Sequence, residues 1–425
     1  MYIHIKREKN ILFTDKIFAF LFAVSPILFN YRGLVANAAI TLLILMFPYE
    51  IMKLFSVGEI RKSSLMLLMP LVAYWGFKII DHGTSATEIG QVGIYFVLML
   101  MIASDPVIPK LLIRYATLIA CIAAGCIILQ YVCYYVLGFH LQLVPTSLLL
   151  DSADQWVKLA QTGRVSVTGK TIAFYRPSAF FLEPSHMFTY LIAPLTFALL
   201  SEASSGAKKR IAIFLSLGMI CSTSGMGILA TGGLWMLYLA KKGGKDNRIE
   251  LKKLLNPRIV LLFIGLFAVA VVLYFKVSFF RRSVLRIFSS GDDYSNAVTG
   301  RVASGSQLIG SLRGRQLILG ISDHYSDLEF HMTGFNATMY KYGLVGTLLS
   351  YLFYLQSLLK LKGKYFWLSA LLIVMSFFNP HTHGTVYMLF FSTFLLDGFS
   401  GRFDEAGDKV PECKNIKGGK KNVYI

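Results

Sequence analysis

Apolar residues fill this chain in blocks of near-membrane length, at 17–30, 34–55, 64–80, 89–104, 112–138, 186–202, 211–222, 223–240, 259–276, 335–358, 365–380 and 384–399. An α-helix rises about 1.5 Å per residue and the hydrocarbon core of a bilayer is about 30 Å thick, so such blocks read as membrane spans. Inside lipid every backbone N–H and C=O needs a partner within the protein, which makes helices the spanning form for these segments. The expected fold is all-α: a polytopic integral membrane protein of about 12 transmembrane helices (11–13), with two long external loops and both termini cytoplasmic. Composition agrees. Of 425 residues, 55% are hydrophobic and 15% charged, where a soluble domain has about 45–50% and 25%. Charge that scarce cannot cover a water-exposed surface.

The net charge of +19 raises the question of nucleic acid, and its distribution answers it. With the N-terminus inside, seven cytoplasmic segments hold 28 of the 42 Lys and Arg residues: Lys6 to Lys16, Lys53 to Lys62, Lys110 to Arg114, Lys208 to Arg210, Lys241 to Arg258, Lys360 to Lys364 and Arg402 to Lys421. The other 14 lie outside or at outer membrane edges. Basic short cytoplasmic turns are what the positive-inside rule demands, and long loops are exempt from it. The charge is thus a topology signal with an attraction to anionic lipid, and nucleic acid is not an expected partner. Cys121, Cys126, Cys133 and Cys221 lie in apolar segments and Cys413 in the basic tail, so no disulfide framework is expected. The basic start MYIHIKREKN precedes an apolar segment that reads as a retained first span rather than a cleaved signal. Asp15 and Lys78, at span ends, read as ordinary boundary charges.

The uncharged run 211–240 is long for one helix. A single crossing would put KKGGKDNRIELKK outside, against the charge rule. Two short or tilted passes that break at Ser222-Thr223-Ser224-Gly225 keep it inside, and that is the expected arrangement. The organisation is then a single transmembrane domain over 1–400, with external loops over 139–185 and 277–334, and a basic cytoplasmic tail over 401–425. Loops longer than about a dozen residues are usually functional or disordered, so the chemistry is sought in these two. The first contains LQLVPTSLLLDSADQWVKLA, which has the character of an interfacial segment.

The most informative stretch is YRPSAFFLEPSHMFTY, Tyr175 to Tyr190, with Arg176, Glu183 and His186 where the first long loop meets the sixth span. Two readings stay open on the residues alone. One is an interfacial anchor, with Arg and His reaching for headgroups and Glu183-Pro184 starting a helix. The other is a cation, a carboxylate and an imidazole gathered for chemistry. In the second loop, Arg281, Arg282, Arg286, Arg313 and Arg315 read as charge paired within a nearly neutral loop, while Arg301 in Thr299-Gly300-Arg301 stands apart; His324 and His331 follow. Between the last two spans, Asn379-Pro380-His381-Thr382-His383-Gly384 offers two histidines with no Cys or acidic residue nearby. Two ligands are too few for a metal site, so the turn reads as helix-end caps and no metal is expected. The sequence has no Walker loop, dinucleotide fingerprint or zinc-helix motif, so neither an ATP-driven nor a nicotinamide enzyme is expected.

Over 160–400 these residues resemble the O-antigen and capsular polysaccharide polymerases (Wzy-type) of the O-antigen ligase/polymerase superfamily. Arg176, Ala179, Phe181 and Pro184 are similar to that family's Arg-x-x-Gly-x-Phe-x-x-Pro segment, with Ala179 in place of the glycine, and Glu183-Pro184-Ser185-His186 is similar to the capsule and exopolysaccharide form. Cys221-Ser222-Thr223-Ser224-Gly225 resembles the family's Thr-x-Ser-x-Ser-Gly turn. Thr299-Gly300-Arg301, Leu319-Gly320 and Tyr342-Gly343-Leu344-Val345-Gly346 follow in the family's order. Ligases of the superfamily often carry a His-Asn pair before the Gly-x-x-Gly; here that stretch reads His331-Met332-Thr333-Gly334-Phe335-Asn336, which tilts the resemblance toward polymerase.

The resemblance implies a glycosyltransferase of surface polysaccharide (O-antigen, capsule or exopolysaccharide) biosynthesis. It would join undecaprenyl-diphosphate-linked oligosaccharide repeat units at the outer face of the cytoplasmic (inner) membrane, with no cofactor, metal or nucleotide. Diphosphate binding falls to Arg176 and Arg301, since a guanidinium makes bidentate, permanently charged contacts with phosphate oxygens. Acceptor activation falls to Glu183 or His186, with His331, His381 and His383 in reserve. The implied partners are the bilayer, the lipid-linked oligosaccharides, and a chain-length regulator and flippase of the same pathway. Two competing expectations stand beside it: a ligase-type glycan transferase, and a transporter or flippase of polysaccharide or lipid-linked glycan. A transporter tends to show related halves and ionisable residues buried at mid-membrane.

Overall fold

The structure is a computed structural model that describes residues 12–34, 37–57, 62–81, 86–105, 107–150, 165–167, 170–172, 175–201, 206–241, 256–276, 281, 299–321 and 332–407. Among them the chain forms α1 (Phe13–Leu28), α2 (Ala38–Val57), α3 (Lys62–Asp81), α4 (Ala86–Ser104), α5 (Val107–Tyr135), α6 (Pro184–Leu200), α7 (Gly206–Cys221), α8 (Gly225–Ala240) and α9 (Pro257–Lys276). Then come α10 (Thr299–Ser311), α11 (Arg315–Leu319), α12 (Gly334–Lys360), α13 (Lys364–Phe378) and α14 (Thr385–Gly407). The only strands among the described residues, Val165–Val167 and Lys170–Ile172, pair as a small antiparallel hairpin in the first long loop. A helix thus occupies each apolar block of the sequence.

Three described stretches, Ala38–Phe55, Val107–Tyr135 and Gly334–Lys360, are long and apolar enough to cross a membrane. Shorter apolar helices cover Leu68–Phe77, Val92–Ser104, Pro184–Leu200, Gly225–Ala240, Lys364–Phe378 and Val386–Phe399. The surface supports the same environment. Leu344, Leu348, Leu352, Leu355 and Leu359 form an exposed stripe along α12, and Ile213, Leu217 and Ile220 form another on α7. Stripes of large apolar side chains at helical spacing suit lipid and not water.

The centre of the bundle is α6 and the Val386–Phe399 part of α14, which bury almost every side chain; Tyr190 and Phe390 stack there at 4.8 Å between ring centroids. Hydroxyls in this interior bond back to their own helix, as Thr196 does to the Ile192 carbonyl (2.7 Å) and Thr393 to that of Leu389 (3.0 Å), which satisfies them without a solvent partner. Small residues let α7 press on α5: a Cβ on Gly218 would lie 2.6 Å from the Ala124 Cβ.

The break in 211–240 is real. Thr223 takes a left-handed φ of +58°, and Ser224 caps α8 by accepting from the Gly227 N–H. Trp235 Nε1 donates to Ser216 Oγ (2.9 Å) and Thr231 Oγ1 contacts Met219 Sδ (3.1 Å), so α7 and α8 run antiparallel as a hairpin.

One expectation is corrected. Asp15 is not an ordinary boundary charge: it is 2% exposed, and Lys53 Nζ lies 2.7 Å from its Oδ1 and 3.1 Å from Asp105 Oδ2, with Tyr49 also donating to Asp15. The partners sit on α1, on α2 and just beyond α4, and only helix packing brings them together. Near them on α2, Glu50 is wholly buried, and among the described residues neither of its carboxylate oxygens has a hydrogen-bond partner.

Candidate functional site

The Arg176–Tyr190 stretch is shaped by a turn at Ala179, whose φ is +55°. Gln130 of α5 fixes that turn by accepting from the Ala179 N–H (2.8 Å) while its own amide donates to the Leu141 carbonyl (3.1 Å). Ser178 Oγ closes the turn on the Phe181 carbonyl (2.8 Å). The chain then extends through Glu183, which precedes Pro184 at the first position of α6, where proline's missing N–H costs nothing. Glu183 therefore stands at the start of the central helix, and Ser185 Oγ donates to its Oε2 (2.8 Å).

His186, in the first turn of α6, is 6% exposed. Three elements distant in sequence converge on it. Asn30, at the end of the turn after α1, brings its Nδ2 to 2.9 Å from His186 Nδ1. His381 lies against its ring, with centroids 3.8 Å apart and planes at 56°. Tyr387 of α14 donates to the His186 carbonyl (3.2 Å). The short 3-10 turn Pro380–His383 that carries His381 is set by Asn379, which accepts from the His381 N–H (3.0 Å) and donates to Thr189 Oγ1 (2.7 Å). The capping expected of this turn is present, and it also ties the turn to α6.

His383 diverges from His381. Its Nε2 is 3.1 Å from the Ser376 carbonyl and its ring packs on Tyr351 at 5.2 Å. Burial pushes its pKa down to about 4, so it is neutral at physiological pH. The two rings of the turn thus face different neighbours.

Arg176 is half-buried beside Tyr175, whose ring meets Tyr134 (4.9 Å) and His140 (4.4 Å) and whose carbonyl accepts from Tyr135 (2.6 Å). Burial holds the His140 pKa below its ordinary value. Arg301 belongs to the first turn of α10, and its side chain lies outside the described set. That helix is docked one turn later: a Cβ on Gly305 would lie 2.2 Å from Asn336 Nδ2, at the start of α12. Gly334 in turn abuts the Ser376 and Asn379 carbonyls, so α10, the start of α12 and the histidine turn are successive neighbours. His331 lies outside the described residues. A cavity of about 310 Å³ opens beside Thr333, Phe335, Asn336, Val374, Phe377 and Phe378, aromatic and aliphatic apart from Thr333 and Asn336.

Of the residues singled out in the sequence, the structure brings His186 and His381 together next to Glu183; the contacts of Asn30, Gln130 and Asn379 were not anticipated. An asparagine in a short interspan turn carries no signal until packing supplies its partner. Comparison with family models, with curated proteins and with solved structures returns no match for this chain.

Proposed function

We propose that this chain is a membrane glycosyltransferase, a polymerase of undecaprenyl-diphosphate-linked oligosaccharide repeat units in surface polysaccharide biosynthesis. The observation that carries the reading is the meeting of His186 and His381, with ring centroids 3.8 Å apart, beside Glu183 at the start of α6. Acid–base groups so gathered suit transfer of a sugar whose activation already resides in its diphosphate. The acceptor hydroxyl oxygen forms the bond to the anomeric carbon as its proton passes to Glu183 or His186. The bond from that carbon to the diphosphate oxygen breaks, and its electron pair leaves with undecaprenyl diphosphate. Arg176 and Arg301 hold the diphosphate, and the aromatic cavity next to the start of α12 suits an isoprenoid chain. About 12 helices span the cytoplasmic membrane, with this end outward and both termini in the cytoplasm.

The test is deletion of the gene, followed by gel display of surface and lipid-linked glycans, with complementation by wild type, Glu183→Gln, Arg301→Ala and Arg301→Lys. Single repeat units in the deletion strain, and a ladder restored only by wild type, are expected. Arg301→Lys loses most long-chain product, because an ammonium cannot replace a bidentate fork. An unchanged ladder in the deletion strain retires the reading, and full-length polymer trapped on its carrier replaces it with a ligase.

A transporter is the second reading: buried ionisable residues are present in the Asp15–Lys53–Asp105 network, although it lies at helix ends and not at mid-membrane. Repeat units accumulating on the cytoplasmic face of the deletion strain would support it.

A further inference from the structure

The turn after α1 reaches the site through one residue. Asn30 Nδ2 faces His186 Nδ1 at 2.9 Å. An amide N–H only donates, so the ring nitrogen opposite it accepts, and the proton of a neutral imidazole must then sit on Nε2. Asn30 is held in place to do this. Its carbonyl accepts from Leu150 N–H (3.0 Å), and two residues on Arg32 donates from its backbone to Leu148 (2.7 Å) and from Nε to Leu149 (2.9 Å). Between them Tyr31 OH donates to the Phe180 carbonyl (2.8 Å). The turn is stapled on one side to the first long loop and on the other to the segment that leads into Glu183. His381 covers the imidazole ring and Tyr387 holds the His186 backbone, so the ring has little freedom to turn its other nitrogen toward Asn30.

Resting on the glycosyl-transfer reading, we infer that Asn30 is a positioning residue: its grip on Nδ1 commits His186 to the Nε2–H tautomer. His186 then presents a hydrogen-bond donor at Nε2 and has no lone pair there to take a proton. This divides the roles that the residues alone left open. Glu183 is the base for the acceptor hydroxyl, and His186 Nε2–H serves an oxygen that gains negative charge, as the diphosphate oxygen does when its bond to the sugar breaks.

The proton position is read directly from ¹⁵N-histidine spectra of the full chain in lipid nanodiscs, where protonated and bare ring nitrogens differ. Loss of a signal in His186→Gln assigns the residue, and an unchanged His383 signal reports intact packing. Wild type is expected to show a bare Nδ1 and a protonated Nε2. Asn30→Asp replaces a donor by an acceptor and draws a proton onto Nδ1; Asn30→Leu abolishes the preference. The same Asp variant cuts long-chain product by about a hundredfold or more, the usual worth of a proton-handling group. A protonated Nδ1 with a bare Nε2 in the wild type, or a spectrum indifferent to Asn30→Asp, overturns the inference, and so does a switched tautomer with a normal ladder. A deletion strain with an unchanged ladder, alongside the expected spectra, retires the polymerase reading while leaving the Asn30–His186 coupling in place.

Discussion

Ala179 occupies a left-handed backbone position, φ +55°, with its side chain fully buried. The left-handed conformation costs an L-residue about 1–2 kcal/mol, while burying one methyl returns about 0.8 kcal/mol. Burial of the methyl offsets a large part of that cost, which is why alanine is tolerated there. Ala179→Gly is expected to change thermal stability little, whereas Ala179→Val, β-branched in the same backbone, costs about 1–3 kcal/mol; unfolding in detergent checks both. His383 makes a pH prediction. Its pKa falls from 6.5 unfolded to about 4 folded, so between those values the unfolded chain binds a proton that the folded one does not. The stability it contributes is complete above 6.5 and lost as pH drops through about 4, by at most about 3 kcal/mol. Unfolding followed from pH 7 to 4 should show a fall in wild type that His383→Gln blunts. Arg176, Glu183 and His186 were visible as candidates because three polar residues at a membrane edge stand out against apolar sequence. Asn30 was not visible, because its importance lies wholly in the ring it faces.

At the scale of elements, two devices hold the helices in register. Lys53 of α2 bridges Asp15 of α1 and Asp105 beyond α4. Removing the cation from a buried pair leaves uncompensated charge, so Lys53→Met is expected to destabilise by about 3–5 kcal/mol. The triple variant Asp15→Asn, Lys53→Met, Asp105→Asn, which leaves no stranded charge, should recover much of that loss; protein level and unfolding temperature report both. The second device is backbone on backbone. Gly343 kinks α12 at φ +61°, and a Cβ there would lie 2.4 Å from the Ile318 carbonyl, while one on Gly320 would lie 2.2 Å from that of Lys341. Ile321 N–H donates to Tyr340 across the same contact (3.0 Å). Leu319-Gly320 and Tyr342-Gly343, separate in sequence, are thus two halves of one joint that seats the end of the second long loop on α12. Gly343→Ala is expected to loosen that joint and reduce long-chain product, with α11 becoming more open to limited proteolysis.

For the whole molecule, the exposed leucine stripe of α12 and its counterpart on α7 predict extraction only by detergent, not by alkaline carbonate. The proposed sidedness is testable in a cysteine-free background. A cysteine replacing Thr382 should react with a membrane-impermeant maleimide added to intact cells once the turn is opened by His381→Ala, and one replacing Lys245 should not. Labelling of both, or of Lys245→Cys alone, would invert or break the orientation argued from the basic turns.

Sequence alone determined that the chain is helical and apolar enough for a membrane, and roughly where its apolar helices lie, because block length, charge scarcity and backbone hydrogen bonding are local properties of the polymer; it did not show the helices Thr299–Ser311 and Arg315–Leu319 within the second long loop, which carry no long apolar block. The break at Thr223 was legible for the same reason: Ser and Gly interrupt a run too long for one pass. Only the tertiary structure decided what those helices bring together. Asp15 became a buried ion-pair member rather than a boundary charge, His381 and His383 went to different neighbours although two residues apart, and Asn30 met His186. Such meetings depend on how whole helices pack, through side-chain volumes and glycine contacts summed over the bundle, and no window of sequence contains them.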